Sequence, residues 1–167
     1  MFKKNSKKTL GELFSPLPGR IVNTDEVNDP VFANGMLGEG FAVLPDEGLL
    51  TLLMPASGKI ASVSDTSHAV NILTDDGIEL LIHVGIDTVE LRGNGFELLC
   101  SVGDRLICGE PVMKVDFDEL KRYGKDTVTP VIITNPEVIS DMTVNVGRCD
   151  GAVALRYKIR EGRKNEI

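Results

Sequence analysis

The chain has two histidines in 167 residues, His68 and His83, and local patterning brings them to one place. A neutral imidazole with a pKa of about 6.5 can use one ring nitrogen as a nucleophile while the other donates a hydrogen bond that fixes the tautomer. Gly85 follows His83 by two residues, and a backbone carbonyl there is a suitable acceptor. Thr66 precedes His68 by two. Two imidazoles would also make part of a zinc site, but the chain offers no obvious third ligand. A single histidine on a half-exposed strand is more often structural than catalytic. Two at the ends of adjoining strands point instead to a shared site.

The element that positions His83 is Gly77 to Leu91, GIELLIHVGIDTVEL. Strand side chains alternate, so Ile78, Leu80, Ile82, Val84 and Ile86 form an apolar core face. Glu79, Leu81, His83, Gly85 and Asp87 take the opposite face, which is open to approach. His68 opens a second strand-like run, HAVNIL, and Thr74 to Gly77 (TDDG) turns it back into the first. The Asp76-Gly77 pair is a strong hairpin signal, and antiparallel pairing sets the far ends of the two strands side by side.

One domain of ordinary size is expected from this length, able to bury a core without staples. Only 5% of residues are aromatic, while 17 Gly and 8 Pro punctuate a chain rich in Val, Ile and Leu, a composition that favours many short strands. The net charge of −7 argues against nucleic-acid binding, because phosphate backbones are held by basic surfaces. Cys100, Cys108 and Cys149 are odd in number and lack C-x-x-C spacing, so they read as reduced thiols. No apolar run is long enough to cross a bilayer and the start lacks the apolar stretch of a signal peptide, which together predict a cytoplasmic protein.

Residues 1–14 read as a flexible basic tail, with Lys3, Lys4, Lys7 and Lys8 before the first acidic residue and Leu10, Leu13 and Phe14 after them. Such a tail would attract an anionic membrane surface only weakly. The folded domain is expected over 15–160, with a polar tail at 161–167. Within it PLPGRIV from Pro16 is echoed by PASGKIA from Pro55, 39 residues later, which suggests an internal duplication. Strands are expected at Phe41 to Leu44 and Leu49 to Met54 around the turn Pro45 to Gly48, in a pair around Val102 to Val112, and at Val128 to Thr134 and Ala152 to Ile159. Residues 29–40 read as a loop whose apolar Val31, Phe32, Met36 and Leu37 flank a binding face. The one body helix is expected over Asp118 to Tyr123, ended by Gly124. The predicted fold is all-β, an antiparallel sandwich or flattened barrel with a pseudo-repeat and at most short helical turns.

The segments DTSHAV and LLIHVGIDTVEL, with SPLPGRIV, DPVFANGMLGEGFAVLP, MPASGKI, RGNGFELLCSVGDRLICGEPV and VTPVIITN, resemble the enzyme IIA component of the glucose family of the phosphoenolpyruvate-dependent sugar phosphotransferase system. The likeness spans about residues 15–160. It implies a phosphocarrier that accepts a phosphoryl group from the histidine phosphocarrier protein and passes it to a cysteine of a sugar permease's IIB domain, with no cofactor. By the same resemblance His83 is the phosphorylated residue, His68 lies beside it, and Thr66 supports His68. Phosphoryl transfer asks the protein for in-line positioning and charge compensation, which a donor on His68 would supply. Val31, Phe32, Met36, Leu37 and Leu81 are the expected docking rim. Asp87, four residues after His83, matches an acidic position thought to attract or exclude partners. Ser64, Val70 and Leu81 stand at or near places where the family carries phenylalanines, which bears on partner preference.

Two other readings compete. VGDRLICGEPVMK has the rhythm of a biotinyl or lipoyl carrier, but Lys114 falls five residues after Gly109, where a strand and not a hairpin tip is expected. A regulatory binding module of the same fold, docking to transporters or kinases, would add to the phosphocarrier role.

Overall fold

Short strands, buried on both faces in β3 (Glu39–Pro45) and β11 (Thr129–Ile133) and alternating toward the edges, build the central sheet of the computed structural model, which describes residues 10–149 and 151–161. In chain order the elements are β1 (Leu10–Phe14), β2 (Gly19–Asn23), α1 (Pro30–Ala33), β3 (Glu39–Pro45), β4 (Leu49–Leu53), β5 (Gly58–Val63), β6 (Ala69–Thr74) and β7 (Glu79–His83). They continue with β8 (Phe96–Leu98), β9 (Arg105–Leu106), β10 (Pro111–Asp116), α2 (Phe117–Arg122), β11 (Thr129–Ile133), β12 (Ile139–Val144), β13 (Gly147–Cys149) and β14 (Val153–Ile159). Eight strands pair in the order β13-β2-β3-β11-β7-β6-β5-β9, flanked by the three-stranded sheets β1-β14-β12 and β4-β10-β8. Every pairing is antiparallel. The fold is the β-sandwich that the composition predicts.

Strand periodicity divides the apolar residues between two clusters. Ile21, Phe41, Val43, Ile72, Leu80, Ile82, Val131 and Ile133 point into the main core, where Leu52, Val112, Val115 and Leu155 of the smaller sheets meet them. Their sequence neighbours Val22, Ala42 and Ile132 point the other way and, with Val27, Phe32, Ile86 and Val128, build a second cluster against which Leu81 packs. The second cluster is the base on which the His83 face stands.

The internal duplication has a geometric counterpart. Leu53 N–H donates to Pro16 O at 2.9 Å and Phe14 N–H donates to Pro55 O at 2.9 Å, bonds that exchange under the 39-residue offset seen in the sequence. Asp46 N–H and Asp75 N–H then donate to the equivalent Pro18 O and Ser57 O, each at 3.0 Å.

Several expectations change. Leu10–Phe14, read as part of the tail, instead form β1 and pair with β14, Leu13 opposite Leu155, so the folded body includes them. The lysine run and residues 162–167 of the expected polar C-terminal tail lie outside the described residues. Leu13 is fully buried in the main core, so Leu13→Ala is expected to cost about 2–5 kcal/mol of stability, measured by urea unfolding. A tail residue would cost nothing measurable. Residues 29–40 hold a helical turn, α1, because Asp29 Oδ1 accepts Val31 N–H at 2.9 Å and Pro30 occupies the first turn, where its missing N–H costs nothing. The strands at 41 and 49 belong to different sheets, so Pro45 to Gly48 is a crossing between layers and not a hairpin. β8, β12 and β13 have no counterpart among the strands expected from the sequence. The expected helix is α2, begun one residue earlier at Phe117 because Asp116 Oδ1 caps it by accepting Glu119 N–H at 3.2 Å. Among the described residues no helix is long and apolar enough to cross a membrane. Lys114 sits in the central strand of the β4-β10-β8 sheet, opposite Thr51 and Glu97, which is no position for a carrier lysine.

Candidate functional site

The hairpin of β6 and β7 does what its sequence predicts. Thr74 N–H donates to Ile78 O at 2.9 Å and Gly77 N–H to Thr74 O at 3.0 Å, closing the turn, and five pairs downstream Ala69 lies opposite His83. His68, one residue before Ala69, accepts Val84 N–H on its carbonyl at 2.8 Å. The two imidazole centroids are 5.0 Å apart at 77°.

β7 stops at His83 because the backbone turns. Gly85 has φ +71° and Asp87 φ +60°, so alternation ends and Ile86, expected on the main-core face, joins the second cluster instead. A Cβ on Gly85 would lie 2.6 Å from Thr88 Cγ2 and 2.9 Å from Asp126 O, which together with its φ leaves glycine as the residue that fits. Buried Thr88 donates its hydroxyl to Val84 O at 2.5 Å, and Ile86 N–H donates to Asp126 O at 3.0 Å. The tight bend thus holds the Gly85 carbonyl 2.7 Å from His83 Nδ1. Since a carbonyl only accepts, Nδ1 carries the proton and Nε2 keeps its lone pair.

His68 is held by its own loop. Thr66 Oγ1 lies 2.8 Å and Ser64 Oγ 3.2 Å from His68 Nδ1. Nε2 of each ring makes no hydrogen bond among the described residues. Burial pushes both imidazoles below their ordinary pKa of 6.5, helped at His68 by the charge of His83 and opposed at His83 by the Gly85 carbonyl and then by the carboxylates of Asp29 and Asp87. The neutral form of each ring therefore predominates at pH 7.

The rim residues divide into two kinds. Val31, Leu37 and above all Met36, 71% exposed, present apolar surface. Phe32, expected with them, is only 5% exposed and lies beneath His83, ring centroids 5.2 Å apart; it supports the imidazole and offers little to a partner. Leu81 is half-buried on the second cluster, and Val70 is fully buried in the main core. Asp87 is exposed beside the bend. Sequence reasoning missed Asp29 as a charge near His83 and Ser64 as a partner of His68. The latter was legible in the S-x-T-x-H spacing. Among the described residues no cluster of three His, Cys, Asp or Glu could hold a metal ion.

A family model of the phosphoenolpyruvate-dependent sugar phosphotransferase system, EIIA 1, matches residues 11–139. The glucose-specific EIIA component of Staphylococcus aureus (strain COL) is 38% identical over 132 residues, covering 79% of this chain and 78% of that protein. A glucoside-specific EIICBA component of Staphylococcus carnosus (strain TM300) is 39% identical over 138 residues, which is 83% of this chain but only 20% of the longer relative. The glucose permease IIA from Mycoplasma capricolum superposes with a TM-score of 0.82 at 33% identity, covering 93% of this chain and 97% of that one.

Proposed function

The chain belongs to the EIIA 1 family of the phosphoenolpyruvate-dependent sugar phosphotransferase system, and within the phosphocarrier role of that family we propose that His83 Nε2 accepts and donates the phosphoryl group. The observation that carries this reading is the pair of neutral rings 5.0 Å apart, each fixed through Nδ1. In acceptance the Nε2 lone pair attacks phosphorus of a partner phosphohistidine, the partner's N–P bond breaks, and its electron pair returns to the partner ring. His83 then gains positive character, which the Gly85 carbonyl stabilises. In donation a cysteine thiolate of a permease IIB domain attacks phosphorus and the P–Nε2 bond breaks toward His83. His68 stabilises the equatorial oxygens, and Thr66 holds His68.

Both partners use one face, because in-line transfer brings each over the same nitrogen. Val31, Met36, Leu37 and Leu81 form its apolar part, and Asp29 and Asp87 set its charge. The fused EIICBA relatives support a permease partner, and such a partner places the chain in the cytoplasm; the lysines at 3, 4, 7 and 8 add at most a weak attraction to anionic lipid. Regulatory docking would use the same rim and adds to the carrier role.

Incubation with phosphoenolpyruvate, enzyme I and the histidine phosphocarrier protein tests the assignment. One acid-labile, alkali-stable phosphoryl group on His83, located by mass spectrometry, is expected; labelling of a hydroxyl or of no residue overturns it. The pH profile adds a second check. A lowered pKa keeps the nucleophile neutral further into acid, so acceptance should fall at lower pH than it would for an ordinary imidazole. Stability follows the same sign. Below about 6.5 the unfolded chain binds protons that the folded rings refuse, so folding weakens there until the folded rings also protonate.

A further inference from the structure

We propose that Ser64 is a second positioning residue for His68, acting with Thr66 to keep the ring's Nδ1 as an acceptor and so its proton on Nε2. The proposal rests on the phosphocarrier reading for its consequence, though not for its geometry.

Ser64 opens the loop, between β5 and β6, that carries His68. Its N–H donates to Ala69 O at 2.9 Å, Ser67 N–H donates to its carbonyl at 2.9 Å, and Ser67 takes φ +64° to close the turn. The hydroxyl is therefore fixed by backbone on both sides. Ser64 Oγ accepts Ala69 N–H at 3.1 Å and stands 3.2 Å from His68 Nδ1. With that acceptor contact made, its O–H is the group left to face the ring. Thr66 Oγ1, 2.8 Å from the same nitrogen, has no other side-chain hydrogen bond among the described residues, so alone it could either donate to Nδ1 or accept from it.

Were the proton on Nδ1, both hydroxyls would have to share that one hydrogen, and each O–H would need an acceptor that neither finds among the described side-chain bonds. With the lone pair on Nδ1, the hydroxyls are donors and the proton moves to Nε2. The neutral state of His68 makes this choice matter, because a doubly protonated ring would need no tautomer control. Only the Nε2–H form can donate to a phosphoryl oxygen on the neighbouring His83, and Ser64 makes that form the one the loop enforces.

The experiment has two arms. On the unphosphorylated protein above neutral pH, nitrogen NMR of the imidazoles should show His68 protonated at Nε2 with Nδ1 as a hydrogen-bonded acceptor. Ser64→Ala should move the Nδ1 resonance toward that of an unbonded imine nitrogen, and Ser64→Thr should restore it. A proton on His68 Nδ1 in the wild type, or an Nδ1 resonance indifferent to Ser64→Ala, overturns the proposal. The kinetic arm isolates each phosphorylated variant and follows loss of label to a IIB domain. Ser64→Ala should slow donation about three- to tenfold, the worth of one hydrogen bond. In a His68→Gln background it should slow donation no further, since Ser64 acts through His68. Slowing that persists there would mark a merely structural role, such as loss of the Ala69 N–H acceptor, and overturns the proposal. Failure of the phosphocarrier reading would appear separately, as a wild type that never takes label while its NMR remains as described.

Discussion

His83→Gln will take up no phosphoryl group from the histidine phosphocarrier protein, a loss below detection in a gel or mass-shift assay that registers full labelling of the wild type. The size of the effect follows from chemistry. An amide side chain has no lone pair of imidazole basicity to attack phosphorus, and loss of the nucleophile removes the covalent step itself. The fold should survive, because His83 is half-exposed at the end of β7 and the bend beyond it is held by the Thr88 hydroxyl on Val84 O and by the main-chain bond from Ile86 N–H to Asp126 O, neither of which involves the imidazole. His68 cannot stand in. Its Nδ1 is occupied by two hydroxyls, and a proton on its Nε2 leaves that nitrogen without a lone pair. Phosphorylation of His68 in the variant, at a rate near wild type, would sink the assignment.

How much of this was readable from the chain depended on distance along it. The hairpin that joins the two histidines is local: Asp76-Gly77 makes the turn, period-two alternation assigns the faces, and both signals lie within the stretch they organise. The repeat of the Pro16 and Pro55 segments was equally visible, and the reciprocal bonds through Phe14 and Leu53 follow from it. β1 was hidden for the opposite reason. Its partner is β14, so Leu13 finds Leu155 across almost the whole chain, while the nearby lysines gave Leu10 to Phe14 the look of a tail. Phe32 was placed in the correct neighbourhood with the wrong exposure. Its spacing from Val31 and Met36 suggested a shared apolar surface, but the turn capped by Asp29 aims it inward at the second cluster. Asp29 reaches the field of His83 only through that turn, which no periodicity predicts for so short a helix.

His68→Gln is the sharper test, because it should separate accepting from donating. The glutamine can occupy the loop with its amide near Thr66 and Ser64, so His83 keeps its Gly85 bond and its lone pair, and acceptance proceeds. Acceptance exchanges one phosphohistidine for another of similar energy. Donation is different. A thiolate approaching the phosphoryl group sets a second anion against oxygens already charged, and the transition state there leans on a donor fixed in advance. Losing one such donor costs about 2.7–4 kcal/mol, about a hundredfold or more in rate. Labelled His68→Gln, isolated and mixed with a IIB domain, should therefore lose its label at least about a hundredfold more slowly than the wild type. Release at the wild-type rate would remove His68 from the transfer step. A variant that cannot be labelled at all would make His68 part of acceptance, and the division of labour between the two rings would have to be redrawn.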